Sequence, residues 1–247
     1  MKDNIILKVQ EVSLITKIIK QVILDNISLE IFQSDRIGII GASGAGKTSL
    51  FKILNSLQSP TIGSLYFKNQ NYNQISITKL RQKIVYIPQE PKLLEMKVKD
   101  ALIYPLSLQQ LPSSEINQRL ENWQEKFKIP TEWLEKTEVQ LSLGQRQLIT
   151  LARGLMMKPE VLLLDEPNSA LDHGRSENLL SILYSLNDEE KIPILLISHQ
   201  INFMQDFAKK VIYLDKGKIL NTMLISEVNW QEIQERLKTN NEDEFNF

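Results

Sequence analysis

The sequence has no cysteine. Disulfide staples, thiolate metal sites and cysteine nucleophiles are therefore excluded, and the fold must be held by packing; the absence fits a reducing compartment without requiring one. Neither sign of charge is in excess, with 29 basic and 30 acidic residues giving a formal net charge of −1. No long-range field favours a nucleic-acid backbone, so no nucleic-acid partner is expected. Long apolar runs are missing too: Val161–Leu164 and Ile194–Ile197 are four residues each, against about 20 needed to cross a bilayer. Met1–Lys8 holds one apolar triplet among polar and charged residues, without the basic, apolar and small-residue regions of a secretory leader. Any membrane involvement is expected to run through a partner. Apolar side chains make up 42% of the 247 residues, enough for one large domain with a small insertion.

Periodicity and turn residues predict strands at about 5–14 and 22–31, then a buried strand at Arg36–Ile40 that enters a glycine-rich loop and a helix starting near Gly46. Further strands are expected at Ser64–Phe67, Ile84–Ile87, Val161–Leu164, Ile194–Ser198 and Val211–Asp215, with a turn at Lys216 and Gly217 leading to Lys218–Leu220. The short all-apolar runs late in the chain suit core strands of a mostly parallel sheet covered on both faces. Between about 90 and 158 the pattern turns helical, with amphipathic segments at Ser113–Phe127 and Ser142–Met157 and proline breaks at Pro91, Pro105, Pro112 and Pro130. The expected class is α/β: a phosphate-loop core with a mostly parallel sheet, antiparallel N-terminal strands and an inserted helical subdomain. Residues 1–239 form a single domain in this reading, Glu227–Lys238 a last surface helix, and 240–247 a polar, fraying tail.

Gly41, Ala42, Ser43, Gly44, Ala45, Gly46, Lys47 and Thr48 match the phosphate-loop pattern G-x-x-x-x-G-K-[ST], with Ser49 following, and lie between an apolar strand and a helix as the chemistry needs. The glycines let backbone N–H groups and the helix N-terminus face phosphate oxygens, Lys47 supplies a point charge, and Thr48 offers a hydroxyl to Mg²⁺. Asp165 and Glu166 end the apolar run Val161–Leu164, at the strand end where open α/β sheets keep their ligand crevice. Asp165 is expected to hold Mg²⁺ through water and Glu166 to polarise the attacking water as general base.

Leu141, Ser142, Leu143, Gly144 and Gln145, between these two motifs, resemble the LSGGQ signature of the ATP-binding cassette family. The resemblance spans roughly residues 5 to 220. It implies an ATPase that takes ATP and Mg²⁺ and dimerises head to tail, as a homodimer or with another cassette, so that one copy's signature seals the nucleotide held by the other's phosphate loop. Physically, Ser142 and Gly144 at a helix start make a plausible second anion site, and Ser142 is also a good N-cap. By the same resemblance Gln89 is the hinge glutamine that touches Mg²⁺ and water. Ser169, Ala170, Leu171 and Asp172 would form the loop that crosses the dimer interface. His199 would be the switch histidine on the γ-phosphate; His173, the second of two histidines, receives no catalytic role.

Four positions depart from the family pattern: Leu143 replaces a glycine, Leu148 an arginine, Asn168 a threonine and Gln200 an aspartate. The adenine-stacking aromatic is missing as well, since Leu14 to Ile18 holds no Tyr, Phe or Trp; an aliphatic cover by Leu14, Ile15 or Ile18 implies weaker ATP-over-GTP selection. The resemblance places the chain at the inner face of the cell membrane, as the cytoplasmic, peripheral subunit of a transporter with an integral membrane permease. Glu90–Met96 and the following Ala101–Leu106 offer apolar residues between charges, a pattern that suits a partner helix or burial within the helical subdomain equally. The short stretch after Leu220 speaks against an added regulatory domain, and Asp100–Leu106 looks similar to small metal-ion or iron-efflux cassettes. The alternative is a soluble cassette ATPase of a non-transport complex such as iron–sulfur cluster assembly. A phosphate-loop kinase or GTPase fails on the signature and on Glu166 beside Asp165.

Overall fold

The computed structural model describes residues 4–16, 20–233 and 235. Lys17, Ile18, the end of the expected last helix and the 240–247 tail lie outside them.

Two sheets frame the chain. Strands β1 (Ile5–Ile15), β2 (Val22–Phe32), β4 (Ile62–Phe67) and β5 (Gln70–Asn71) form a four-stranded antiparallel sheet in the order β2-β1-β4-β5. Strands β3 (Arg36–Ile40), β6 (Ile84–Ile87), β7 (Val161–Asp165), β8 (Ile194–Ile197), β9 (Lys210–Asp215) and β10 (Lys218–Leu224) form a six-stranded sheet in the order β10-β9-β3-β8-β7-β6. All pairings in that sheet are parallel except β9 with β10.

The runs of β7 and β8 have no polar alternation because both of their faces are covered. Leu162, Leu164, Ile194 and Leu196 face the helices α3 (Val98–Leu108), α4 (Ser113–Lys126), α5 (Leu143–Met156), α6 (His173–Asp188) and α7 (Ile201–Phe207). Val161, Leu163, Leu195 and Ile197 face α1 (Lys47–Leu54), α2 (Ile77–Lys83) and the antiparallel sheet. The inserted helices share the first of these cores: α5 lies so close to β6 that a Cβ on Gly154 would fall 2.6 Å from Ile87 Cδ1. Leu148 is 3% exposed within that core, an environment that favours its aliphatic side chain over the arginine expected by resemblance.

Pro105 does not break the helical insertion as expected. It sits inside α3, where it removes one backbone donor. Burial of Val98, Ala101, Leu102 and Leu106 against the insertion's core keeps the helix continuous past it. The same burial settles most of the 90–106 pattern as packing; Leu94 and Tyr104 remain exposed, at 53% and 39%.

Candidate functional site

The strand β3 delivers the phosphate loop and α1 leaves it. Gly46 has φ 103°, and an added Cβ would lie 2.8 Å from Leu24 Cδ2 and 2.9 Å from the Ile23 carbonyl oxygen. Both the backbone turn and the close approach of β2 therefore require glycine there. Lys47 Nζ donates to the carbonyls of Gly41 at 2.8 Å and Ala42 at 2.7 Å, which hold the ammonium across the loop. Burial pulls the Lys47 pKa down, opposed by the negative charges of Glu166 and Asp165.

Across the cleft, β7 ends at Asp165, which is 3% exposed. Its Oδ2 accepts from Thr48 Oγ1 at 2.8 Å and from Tyr86 Oη at 3.0 Å. Tyr86 was not expected from sequence. The signal was available: it stands on β6, the strand beside β7, with Tyr86 level with Leu163 in register.

Glu166 is 5% exposed and adopts φ 51°. Its Oε2 accepts the His199 backbone N–H at 3.2 Å, and His199 Nε2 lies 3.4 Å from Oε1, which has no hydrogen-bond partner. Burial raises the Glu166 pKa to about 7; the His199 N–H and the Lys47 charge pull the other way, and the Asp165 charge adds to the rise. A buried carboxyl poised near neutrality with one oxygen uncommitted suits general-base work. Burial lowers the His199 pKa, and the Lys47 charge adds to this against an opposing Asp165.

These groups line one cleft of about 320 Å³: Ser43 through Ser49, Gln89, Asp165, Glu166 and His199, together with Ile23 and Ile197. Gly41 and Ala42 reach it through the carbonyls that hold Lys47. The Thr48 hydroxyl, Asp165 carboxylate and Gln89 amide are hard oxygen donors on the cleft wall. That donor set fits Mg²⁺ shared with phosphate oxygens rather than an all-protein cage, and among the described residues no cluster of three or more His, Cys, Asp or Glu could hold a metal.

Neither Leu141–Gln145 nor Ser169–Asp172 lines this cleft. Ser142 N-caps α5 in a capping box: its Oγ accepts from Gln145 N at 3.3 Å, and Gln145 Oε1 accepts from Ser142 N at 2.8 Å. Leu141 is buried, whereas Leu143 is 51% exposed. The two segments meet each other, since a Cβ on Gly144 would lie 2.5 Å from the Ala170 carbonyl oxygen. Asp172 N-caps α6, and His173 pairs at the surface with Glu177 at 3.2 Å.

The expected aliphatic cover for the base needs correction at Leu14. This residue is 4% exposed and packs into the core under the antiparallel sheet, because the β1–β2 pairing shifts register on both sides of it and turns its side chain inward. Ile15 stays half-exposed, and Ile23 on β2 and Ile197 on β8 are the isoleucines that line the cleft.

The profile of the ABC transporter family matches residues 24–169. The chain is 38% identical over 201 residues to the methionine import ATP-binding protein MetN of Francisella tularensis subsp. tularensis, covering 80% of this chain and 57% of that protein. It is 35% identical over 224 residues to MetN 1 of Bacillus cereus ATCC 14579, covering 86% and 62%. The chain thus spans less than two thirds of the length of these relatives. Its backbone superposes with a TM-score of 0.82 on the dimeric ATP-binding cassette MJ0796 bound to ADP and Pi, at 27% identity, covering 89% of this chain and 98% of that one. CbiO1 of Clostridium perfringens, part of the cbiONQ transporter complex, superposes at 0.80 with 27% identity, covering 95% and 94%. The chain belongs to the ABC transporter family, in its ATP-binding part. Among the described residues no helix is long and apolar enough to cross a membrane.

Proposed function

We propose that this chain binds ATP with Mg²⁺, closes with a second cassette around the nucleotides, hydrolyses them, and passes the motion to a separate integral membrane permease at the inner face of the membrane. The observation that carries the reading is the convergence of Lys47, Thr48, Asp165 and Glu166 in one cleft, with Glu166 Oε1 buried and uncommitted. In this reading the loop of Gly41–Gly46 and the N-terminus of α1 bind the phosphates. Lys47 would leave its loop carbonyls for phosphate oxygens, a charge-assisted exchange. Thr48, Asp165 and Gln89 would hold Mg²⁺, which neutralises charge on the phosphate oxygens. Glu166 would take a proton from the attacking water through Oε1, and His199 would hydrogen-bond the γ-phosphate.

Ser142 and the amides after it would complete the site of the opposite copy, with Leu141, Leu143 and Gln145 around them and Ser169–Asp172 at the seam. Their separation from the chain's own cleft supports that division of labour. Residues 90–158 would act as the helical subdomain within a domain spanning 1–239, hinged at Gln89. Beside that hinge, Glu90–Glu95 and Thr137–Arg146 enclose an open groove in which Leu94, Val139 and Leu143 are exposed; this is where the permease would dock. Likeness to proteins named for methionine import favours uptake as the direction to test first.

The decisive experiment is Glu166→Gln. The variant is expected to retain ATP and accumulate a closed dimer while turnover falls by about 10²–10⁴. Turnover equal to the parent's would reject the assigned base. Purification from detergent-solubilised membranes should bring down an integral membrane protein in fixed ratio, and a purely soluble complex would favour a non-transport cassette instead.

A further inference from the structure

Two of the departures from the family pattern touch each other. Asn168, two residues past Glu166, is fully buried, and Gln200 directly follows His199. Asn168 Oδ1 accepts from Ser198 Oγ at 3.0 Å; Ser198 Oγ in turn accepts from the Gln200 backbone N–H at 3.1 Å. The Gln200 side chain closes the loop, donating from Nε2 to the Asn168 carbonyl at 3.4 Å. The segment 198–200 is thereby tied at both ends of His199 to the turn that carries Glu166. Between the two ties lies the contact from His199 N–H to Glu166 Oε2.

Asn168 Nδ2 is buried without a protein hydrogen-bond partner, an arrangement that stability alone does not favour. A residue with a single hydroxyl would leave no amide hydrogen stranded.

We propose that Asn168, Ser198 and Gln200 form a brace that positions His199 and Glu166 against each other, with the Asn168 side chain holding Ser198 on one side of His199 and the Gln200 side chain holding the Asn168 carbonyl on the other. Neither touches the reacting atoms. Their effect passes through the backbone of 198–200, which sets where Glu166 Oε1 points and how far His199 can move. The inference rests on the proposed hydrolysis for its kinetic consequence, but the brace itself has a readout that does not.

The test compares the full chain with Gln200→Met, which keeps length without the Nε2 donor at an exposed position, and with Asn168→Ala, Asn168→Thr and the double variant Asn168→Ala with Gln200→Met. Amide hydrogen exchange of the nucleotide-free proteins reads the brace directly. The His199 amide is expected to exchange at least tenfold faster in Gln200→Met and Asn168→Ala, and unchanged protection in both would overturn the proposal. In ATPase assays, Gln200→Met and Asn168→Ala should each lower kcat about three- to tenfold with KM for ATP unchanged. The double variant should be little worse than the poorer single one, because the two ties hold the same three-residue segment. Asn168→Thr, whose hydroxyl can accept from Ser198, should recover most of the kcat lost in Asn168→Ala. Full kcat in Gln200→Met, or losses that simply multiply in the double variant, would refute the pairing. A residue with a merely structural role would lower the thermal midpoint in step with activity; Gln200→Met should lower kcat with the midpoint unchanged. If the parent itself fails to turn over ATP, the functional reading falls and the exchange measurement still decides the brace.

Discussion

Gly144→Ala tests whether the signature segment and the loop at Ser169–Asp172 work as one packed unit. Gly144 is the second residue of α5, so its backbone is helical and alanine would ordinarily help, by about 1 kcal/mol. Here the added Cβ meets the Ala170 carbonyl oxygen at 2.5 Å, about 0.5 Å inside the 3.0 Å that real Cβ contacts respect. The obstacle is backbone, so no rotamer relieves it. Either the start of α5 or the loop must move, and neither moves freely: Ser142 is fixed by its capping box and Asp172 caps α6 through Arg175 N at 2.9 Å. Overpacking of this kind costs about 1–3 kcal/mol. Against the helical gain, the net loss is about 0–2 kcal/mol, or up to roughly 8 °C in thermal midpoint for a chain of this size. If the signature seals the opposite copy's nucleotide as proposed, catalysis should suffer far more, since a displacement of this scale at a reacting site can cost up to about 10²-fold. The assays are thermal denaturation and ATP turnover on the same preparations. Gly174→Ala is the matched control, because its Cβ would find only Asp172 Oδ1 at 3.8 Å; it should be neutral or slightly stabilising, with parent activity. Parent-like turnover in Gly144→Ala would refute the mechanical link, as would equal effects of the two substitutions.

Burial raises Glu166 to about 7, and a general base works only when deprotonated. The value of kcat/KM, which reports the free enzyme, should therefore rise through about pH 7 and level off above it; a flat profile between pH 6 and about 8 would contradict the assignment. Partial burial pushes the Glu160 carboxyl up, but its bonds to Lys68 and Lys83 outweigh this and hold its pKa below the usual carboxylate value. Such a lowered group stabilises the fold above its unfolded pKa, and the contribution is lost as pH falls through the folded one. With Glu160 29% exposed, Glu160→Gln should cost no more than about 1 kcal/mol at neutral pH, shrinking with salt and vanishing in acid; a penalty that persists in acid would count against the pairing. Finally, the described part of the cleft is lined by aliphatic Ile23 and Ile197 and by no aromatic residue, so GTP should compete with ATP to within about tenfold, stacking being worth about 0.5–1.5 kcal/mol. A much stronger adenine preference in a competition assay would require another base contact.

The strands of the parallel sheet are readable because burial on both faces leaves their central stretches with few polar residues: Ile84–Ile87 is found as expected, and β7 and β8 differ from expectation by one residue each. Helices were less legible wherever tertiary packing overrides local signals. Pro105 looked like a terminator, yet the buried face of α3 carries the helix through it. Helix α6 was not anticipated, since it starts with His173 and Gly174 and carries polar residues between its buried Leu179, Ile182 and Leu183. The chemical centre was largely legible, because a phosphate loop and an acidic strand end are written locally. What could not be read is which face a strand residue takes when the strand is irregular. The β1–β2 pairing shifts register on both sides of Leu14, and those irregularities decide that Leu14 goes into the core while Ile23 turns to the cleft.

The departures from the family pattern fall into three environments, and each calls for a different physical reading. Leu148 is core, so its aliphatic side chain follows from solvation alone. Asn168 and Gln200 each hydrogen-bond the turn around His199, Asn168 through its side chain to Ser198 and Gln200 through the main-chain carbonyl of Asn168, so both read as parts of one network. Leu143 stands apart: it is exposed, lines the groove with Leu94 and Val139, and has none of the constraints that fix Gly144 beside it. A leucine 51% exposed at the head of a capped helix gains little from folding, and in the proposed function a second protein covers it. If that cover is the permease or the opposite cassette, Leu143→Gly should leave the isolated chain's stability within about 1 kcal/mol of the parent's, the helical cost of glycine, while weakening assembly. Loss of stability without loss of assembly would place Leu143 with Leu148, among residues that serve the fold.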